Sequence, residues 1–294
     1  MERKKQLLPN GETIAYFDTE VGEKILVLIH GNLSSSVYFE SLIADLKQDV
    51  RIIAPDLRGY GDSSYVNRFD TLLELAEDVS SLLTILNISK YALLGWSLGG
   101  GVAMELAVLD AQKVSHLILM SATTHLGYPI FQKDRELKGI YGKVYATKDQ
   151  LAKDPVQVKP VVEAIEQKNH AMMTAVYDYT IYTVKKPNLD QNKRFIQETL
   201  KERCLVDSDF ALATFNMSSE ISFYGLGNGR IHQITAPVLH IWGRNDKTVP
   251  EYMLQANVNA LKDQSQVIIY DECGHSPIVD QFEPLKQAIH SFIS

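Results

Sequence analysis

Four short apolar runs, each about the length of one β-strand, set the tightest limit on what this chain can fold into. Lys24-Ile-Leu-Val-Leu-Ile-His30 is the first; Arg51-Ile-Ile-Ala-Pro55, Tyr91-Ala-Leu-Leu-Gly95 and Val114–Met120 repeat it. A strand with one wet face alternates apolar and polar residues, whereas a strand buried on both faces reads as a continuous run. Between the runs lie helix-period stretches. Leu72, Leu75, Ala76, Val79, Leu82, Leu83 and Leu86 form one apolar stripe, with Asp70 or Thr71 placed to cap it. Strand and helix alternating in this way predict right-handed crossovers and an α/β fold, with a mostly parallel sheet covered by helices on both faces. An opening hairpin is expected from Gln6–Leu8 and Thr13–Phe17, which flank the turn-forming Pro9-Asn10-Gly11.

The rhythm breaks after residue 124. Residues 125–234 are mostly helix-patterned, with candidate helices at Asp154–Asn169, Ala171–Thr183, Asp190–Lys201 and Asp207–Met217. Pro237–Trp242 then restores a strand, Glu251–Leu261 a helix, Gln266–Tyr270 a strand and Phe282–Ile293 a closing helix. The expected organisation is one core domain, 1–124 and 235–294, with 125–234 inserted as a helical cap. Tyr141, Tyr145, Met172, Met173, Tyr177, Tyr179, Tyr182, Phe215, Phe223 and Tyr224 fall in that segment. Most are expected to pack the cap's own core, and some to roof an apolar pocket.

The 294 residues suffice for one large domain. A formal charge of -7 argues against nucleic acid or an anionic membrane as partner, because both select a basic face. The basic N-terminus is not followed by a signal-peptide core, and no apolar run approaches the roughly 20 residues of a membrane span, so membrane insertion is not expected. Two cysteines, Cys204 and Cys273, form no disulfide framework, and a reduced cytoplasmic location is the expectation. The oligomeric state is left open, a homodimer included.

Gly95-Trp96-Ser97-Leu98-Gly99 fits G-x-S-x-G, with glycines also at 100 and 101. The pentapeptide alone could be a plain glycine-rich turn. Its setting between the strand Tyr91–Leu94 and the helix Val102–Leu109 makes it a strand–turn–helix elbow, with Ser97 as nucleophile. Small neighbours let strand and helix pack closely around a strained serine, and the helix directs its amides toward developing negative charge.

A serine hydroxyl needs a base. Of eight histidines, His275 alone sits on a loop directly after the last strand, at the sheet edge where Ser97 should emerge. Asp246, which follows the strand ending at Trp242, is the orienting acid; Ser121-Ala-Thr-Thr-His125 after the other candidate strand offers no carboxylate. Amides of Leu98 and Asn32 are the candidate oxyanion donors, Asn32 lying in the small turn His30-Gly31-Asn32. The Asn32 side chain either faces substrate or serves only the turn. Cys273, two positions before His275, reads as a bystander, since no basic residue is evidently placed to lower its pKa.

With these residues assembled, the chain resembles the α/β-hydrolase fold superfamily over nearly its full length. The resemblance rests on His30-Gly31, Asp56-Leu-Arg-Gly-Tyr-Gly-Asp-Ser63, the Gly95–Gly99 elbow, and Asp246 followed by His275, all in the expected order. The Asp56–Ser63 segment is similar to a structural turn of the family. The resemblance implies a serine carboxylesterase or lipase-like enzyme cleaving small or medium acyl esters through an acyl-enzyme, without cofactor or metal. It leaves open an intracellular polyhydroxyalkanoate depolymerase, to whose lipase box Gly-Trp-Ser-Leu-Gly-Gly is similar, a carbon–carbon bond hydrolase, and a low-turnover ligand receptor or signalling protein. A small-molecule ester is the expected partner.

Overall fold

A computed structural model describes residues 2–294 of the chain. The opening hairpin forms as expected, β1 (Lys4–Leu7) pairing antiparallel with β2 (Thr13–Asp18). Gly11 takes the left-handed conformation of the connecting turn, at φ +87°. There follow β3 (Lys24–Ile29), α1 (Glu40–Leu46), β4 (Val50–Pro55), α2 (Leu72–Ile85), β5 (Tyr91–Trp96), α3 (Leu98–Leu109) and β6 (Val114–Met120). Thr71 is the cap of α2, in a reciprocal capping box with Glu74.

Residues between β6 and the next core strand fold as β7 (Phe131–Lys133), β8 (Gly139–Val144), α4 (Lys148–Leu151), α5 (Lys159–Glu166), α6 (His170–Thr180), α7 (Leu189–Thr199), α8 (Leu205–Thr214), β9 (Ile221–Ser222) and β10 (Gly225–Leu226). The chain then closes with β11 (Val238–Gly243), α9 (Glu251–Ala260), β12 (Ser265–Tyr270), α10 (Pro277–Asp280) and α11 (Phe282–Ile293). The main sheet has the order β1-β2-β4-β3-β5-β6-β11-β12. All pairs from β4 through β12 are parallel, and β1 and β2 form the antiparallel edge. This is the α/β-hydrolase fold.

The period-2 geometry of the strands divides the core into two layers. On β3, Val27 and Ile29 pack with α2 and α3, whereas Leu26 and Leu28 pack with α1 and α11. All four are fully buried, which explains the uninterrupted apolar run. Burial of each such side chain contributes roughly 1.5–3 kcal/mol. The second layer also takes in Val161, Met173, Tyr177, Phe195 and Ile196, so α5, α6 and α7 share one apolar cluster with the sheet.

Two local expectations are corrected. The first candidate helix of the inserted segment, expected from Asp154, begins at Lys159. The buried Asp154 carboxylate instead accepts from the amides of Val156 and Gln157 and pairs with Lys133 at 2.9 Å, which holds a turn. The β7–β8 hairpin was not expected as strand. Its residues are half-exposed or exposed and carry no apolar alternation; the turn depends on Asp134 accepting from the amides of Glu136 and Lys138, and Phe131 stacks edge-on against Phe223 from β9–β10. Among the described residues, no helix is long and apolar enough to cross a membrane.

Candidate active site

Ser97 stands between the last residue of β5 and the first of α3, at φ +57° and ψ −121°. Such a conformation costs a non-glycine residue about 1–3 kcal/mol and persists only where surroundings enforce it. Here Ser97 N donates to Met120 O at 3.1 Å, and Ser97 O accepts from the amides of Gly100 and Thr123 at 2.9 and 3.0 Å. Close approach of α3 to the sheet demands small residues. A Cβ on Gly95 would lie 2.7 Å from the Ala103 methyl, and one on Gly99 would collide with the carbonyls of Ile29 and His30.

The loops after β11 and β12 bring their side chains to the same edge. Asp246 Oδ1 accepts from the amides of Thr248 and Val249, both at 2.8 Å, leaving Oδ2 to the His275 imidazole. His275 Nδ1 lies 2.8 Å from Asp246 Oδ2. An ionised carboxylate only accepts, so the proton of a neutral ring is on Nδ1 and Nε2 is left as a free base. Trp96 Nε1 donates to the His275 carbonyl at 2.8 Å, which ties the histidine loop to the residue preceding Ser97. Ser97 and His275 line one cavity; among the described residues, no hydrogen bond joins them in this conformation.

The turn after β3 abuts the elbow: a Cβ on Gly31 would stand 3.0 Å from Ser97 Cβ and 3.6 Å from its hydroxyl oxygen. His30 orders this turn. Its Nδ1 donates to Gly31 O at 2.8 Å, and Nε2 accepts from Leu57 N at 3.0 Å, a pattern that requires the neutral ring. Burial also lowers its pKa, so His30 is a structural residue. The Asn32 side chain is occupied, donating to Asp209 Oδ1 at 2.9 Å and accepting from the Tyr60 hydroxyl at 2.7 Å. Leu98 opens α3, where the first amides have no partner inside the helix. Asp56, from the segment similar to a family turn, is buried and receives the amides of Ser36 and Asp62 together with Arg3. It braces loops and does not line the cavity.

The cavity measures about 490 Å³. Ser97, Leu98, His275 and Asn32 form part of its wall, and Tyr177, Tyr179, Leu205 and Leu212 lie across from the sheet edge. Of the aromatic residues singled out in the inserted segment, Tyr177 and Tyr179 reach the cavity, while Tyr145 and Phe215 are buried elsewhere. Asp209 also lines it and was missed from sequence; burial raises its pKa to about 7. A signal existed, since Leu205, Asp209 and Leu212 share one helix face at i, i+4 and i+7, an acid inside an apolar stripe. Cys273 is fully buried, and burial pushes its thiol pKa up, which leaves it unreactive.

Comparison with known proteins adds the family. The sequence signature of the alpha/beta hydrolase fold matches residues 24–282. A pimeloyl-[acyl-carrier protein] methyl ester esterase from Aliivibrio fischeri is 24% identical over 286 residues, covering 96% of this chain and 98% of the relative. Among solved structures, an esterase from Exiguobacterium antarcticum superposes with a TM-score of 0.76 at 20% identity, over 100% of this chain and 99% of that one. The enol-lactonase from Burkholderia xenovorans gives 0.73 at 15% identity, over 99% of each chain. At such identities the structural likeness establishes the fold alone.

Proposed function

Since the chain belongs to the alpha/beta hydrolase fold family, we propose that it is a serine esterase acting on small or medium acyl esters, with Ser97 as nucleophile, His275 as base and Asp246 as the acid that orients it. One observation carries this reading. A strained serine at a strand–helix elbow shares a cavity with a histidine whose far nitrogen is held 2.8 Å from a buried aspartate. The curated relatives, named for methyl ester hydrolysis, support the reaction class.

In the proposed cycle, Ser97 Oγ attacks the ester carbonyl carbon while His275 Nε2 takes its proton. The carbonyl oxygen gains the negative charge, which the amides of Asn32 and Leu98 receive; such a donor is worth roughly 3–4 kcal/mol in other serine hydrolases. Asp246 stabilises the imidazolium that forms. The carbon–oxygen bond to the alcohol then breaks, His275 gives the proton to the departing oxygen, and an acyl-serine remains. Water, deprotonated by His275, attacks that acyl group and releases the acid, restoring the serine. Residues 125–234 serve as a cap that closes the acyl pocket from the side opposite the sheet. A cytoplasmic location belongs to the same proposal, supported by two buried, unbridged thiols.

A fluorophosphonate probe with mass spectrometry of the adduct, alongside a panel of soluble esters, thioesters, β-diketones and amorphous polyhydroxybutyrate, tests it. Labelling at Ser97 and turnover of soluble esters are expected. Labelling without turnover of any panel member would turn the reading toward a receptor, and turnover retained in Ser97→Ala would remove the mechanism.

A further inference from the structure

One acid on the cavity wall has no part in the hydrolytic cycle. Asp209, on α8, is only 9% exposed, and what exposure it keeps faces the cavity it lines. Its Oδ1 accepts from Asn32 Nδ2 at 2.9 Å. Among the described residues, nothing hydrogen-bonds to its other oxygen. The titratable groups interacting with it are Asp154, Glu202, Tyr60 and Tyr128, none of them cationic, while Lys247 and His275 line other parts of the same cavity. That oxygen is not sealed off by the protein, so a ligand in the cavity can bond to it.

The other end of the asparagine is equally constrained. Tyr60 Oη donates to Asn32 Oδ1 at 2.7 Å, which uses its single proton, so the 2.5 Å contact between Tyr60 and Ser208 is donated by Ser208. Asn32 is therefore clamped at both side-chain atoms, and its orientation is set by Asp209. The same asparagine offers its backbone amide to the proposed oxyanion.

We infer that Asp209 is the specificity-determining polar anchor of the cavity, binding a hydroxyl on the carbon α or β to the scissile carbonyl of a hydroxyacyl ester. The assignment rests on the esterase reading above. The span follows from Asn32, which joins the two points: its backbone N–H marks the carbonyl oxygen, its side-chain amide marks Asp209, and one asparagine side chain separates them. The hydroxyl follows from chemistry. Burial raises the carboxyl pKa to about 7, and a hydroxyl can donate to the ionised form or accept from the protonated one. A carboxylate substituent would meet like charge. An ammonium would lose its hydration in a mainly apolar pocket, beside an acid whose ionisation burial disfavours.

Methyl butyrate, methyl 2-hydroxybutyrate and methyl 3-hydroxybutyrate provide the test, each assayed with the wild-type chain, Asp209→Leu and the near-isosteric Asp209→Asn. The readout is the ratio of kcat/KM for the hydroxy ester to that for butyrate, which divides out any general loss from a displaced Asn32. For one of the hydroxy esters the wild-type ratio should exceed that of Asp209→Leu by about tenfold, the discrimination expected of one buried hydrogen bond. Asp209→Asn should lower the ratio less, because an amide still bonds a hydroxyl. Binding to Ser97→Ala, followed by NMR titration, should favour the same hydroxy ester and lose that preference when Asp209→Leu is added. Equal ratios in all three proteins, or a gain confined to an amino ester, overturn the role of Asp209 while leaving ester hydrolysis at Ser97 intact. Absence of both Ser97 labelling and turnover of any ester overturns the two together.

Discussion

At the scale of single residues, the site depends on groups whose roles are set by what occupies their other atoms. Asp246 presents Oδ2 to His275 Nδ1 because two backbone amides already hold its Oδ1. Asp246→Asn should keep this loop but present the wrong partner to Nδ1, lowering kcat about 10⁴-fold with little change in folding; steady-state kinetics with circular dichroism check it, and a loss under tenfold would exclude Asp246 from the cycle. Asp209 makes a stability prediction with a definite sign. Its folded pKa of about 7 lies above the unfolded value of about 4, so the unfolded state ionises first and stability declines as pH rises between them. Asp209→Asn should therefore gain stability over wild type by about 3–4 kcal/mol at pH 8 relative to pH 4, read from denaturant midpoints. A difference independent of pH would show that the carboxyl is not held in its protonated form. The placement of Ser97 and His275 at one sheet edge was legible in the sequence because an elbow pentapeptide and a post-strand loop are local patterns. Asp209 was not recognised as a wall residue: its place in the Leu205–Leu212 stripe marks a buried acid, but gives no indication that the face meets a cavity.

Secondary-structure elements matter here as supports for those residues. The β5–α3 unit carries Ser97, and its glycines set the distance between helix and sheet. Gly95→Ala should destabilise by about 1–3 kcal/mol through overpacking and reduce activity more than a destabilised but correctly built site would; comparing residual kcat with thermal midpoint separates the two effects. The cap of α2 is remote from the cavity, so Thr71→Ala should cost about 1 kcal/mol and leave kcat unchanged. Elements of the sheet were predictable within a residue or two because continuous apolar runs and helical stripes reflect burial directly. The inserted segment was harder. Asp154 reads as a helix start by composition, yet its carboxylate is drawn to Tyr145 and to the more distant Lys133, a pairing that the apolar periodicity of the segment does not encode.

For the molecule as a whole, the sheet edge with α5, α6 and α8 lines one cavity of about 490 Å³. A pocket of finite length should produce a maximum in kcat/KM across p-nitrophenyl esters of increasing chain length, and Tyr177→Ala, which removes a buried wall residue, should shift that maximum to longer chains. A flat profile in both proteins would mean the inserted segment does not close over the acyl group. Both thiols are buried, so reaction with a water-soluble disulfide reagent should await unfolding, a point checked by following thiol release across a urea titration.

The amino-acid sequence by itself determined the α/β alternation, the elbow around Ser97 and the chain order of the candidate acid and base. These depend on periodicities of a few residues and on glycines whose absence of a side chain is visible in the letter code. Tertiary structure alone decided which side chains share the cavity, that the Asn32 amide group is clamped between Tyr60 and Asp209, and that burial raises the pKa of an aspartate on α8 to about 7. Cavity shape and local dielectric are set by segments distant along the chain, so no local pattern encodes them.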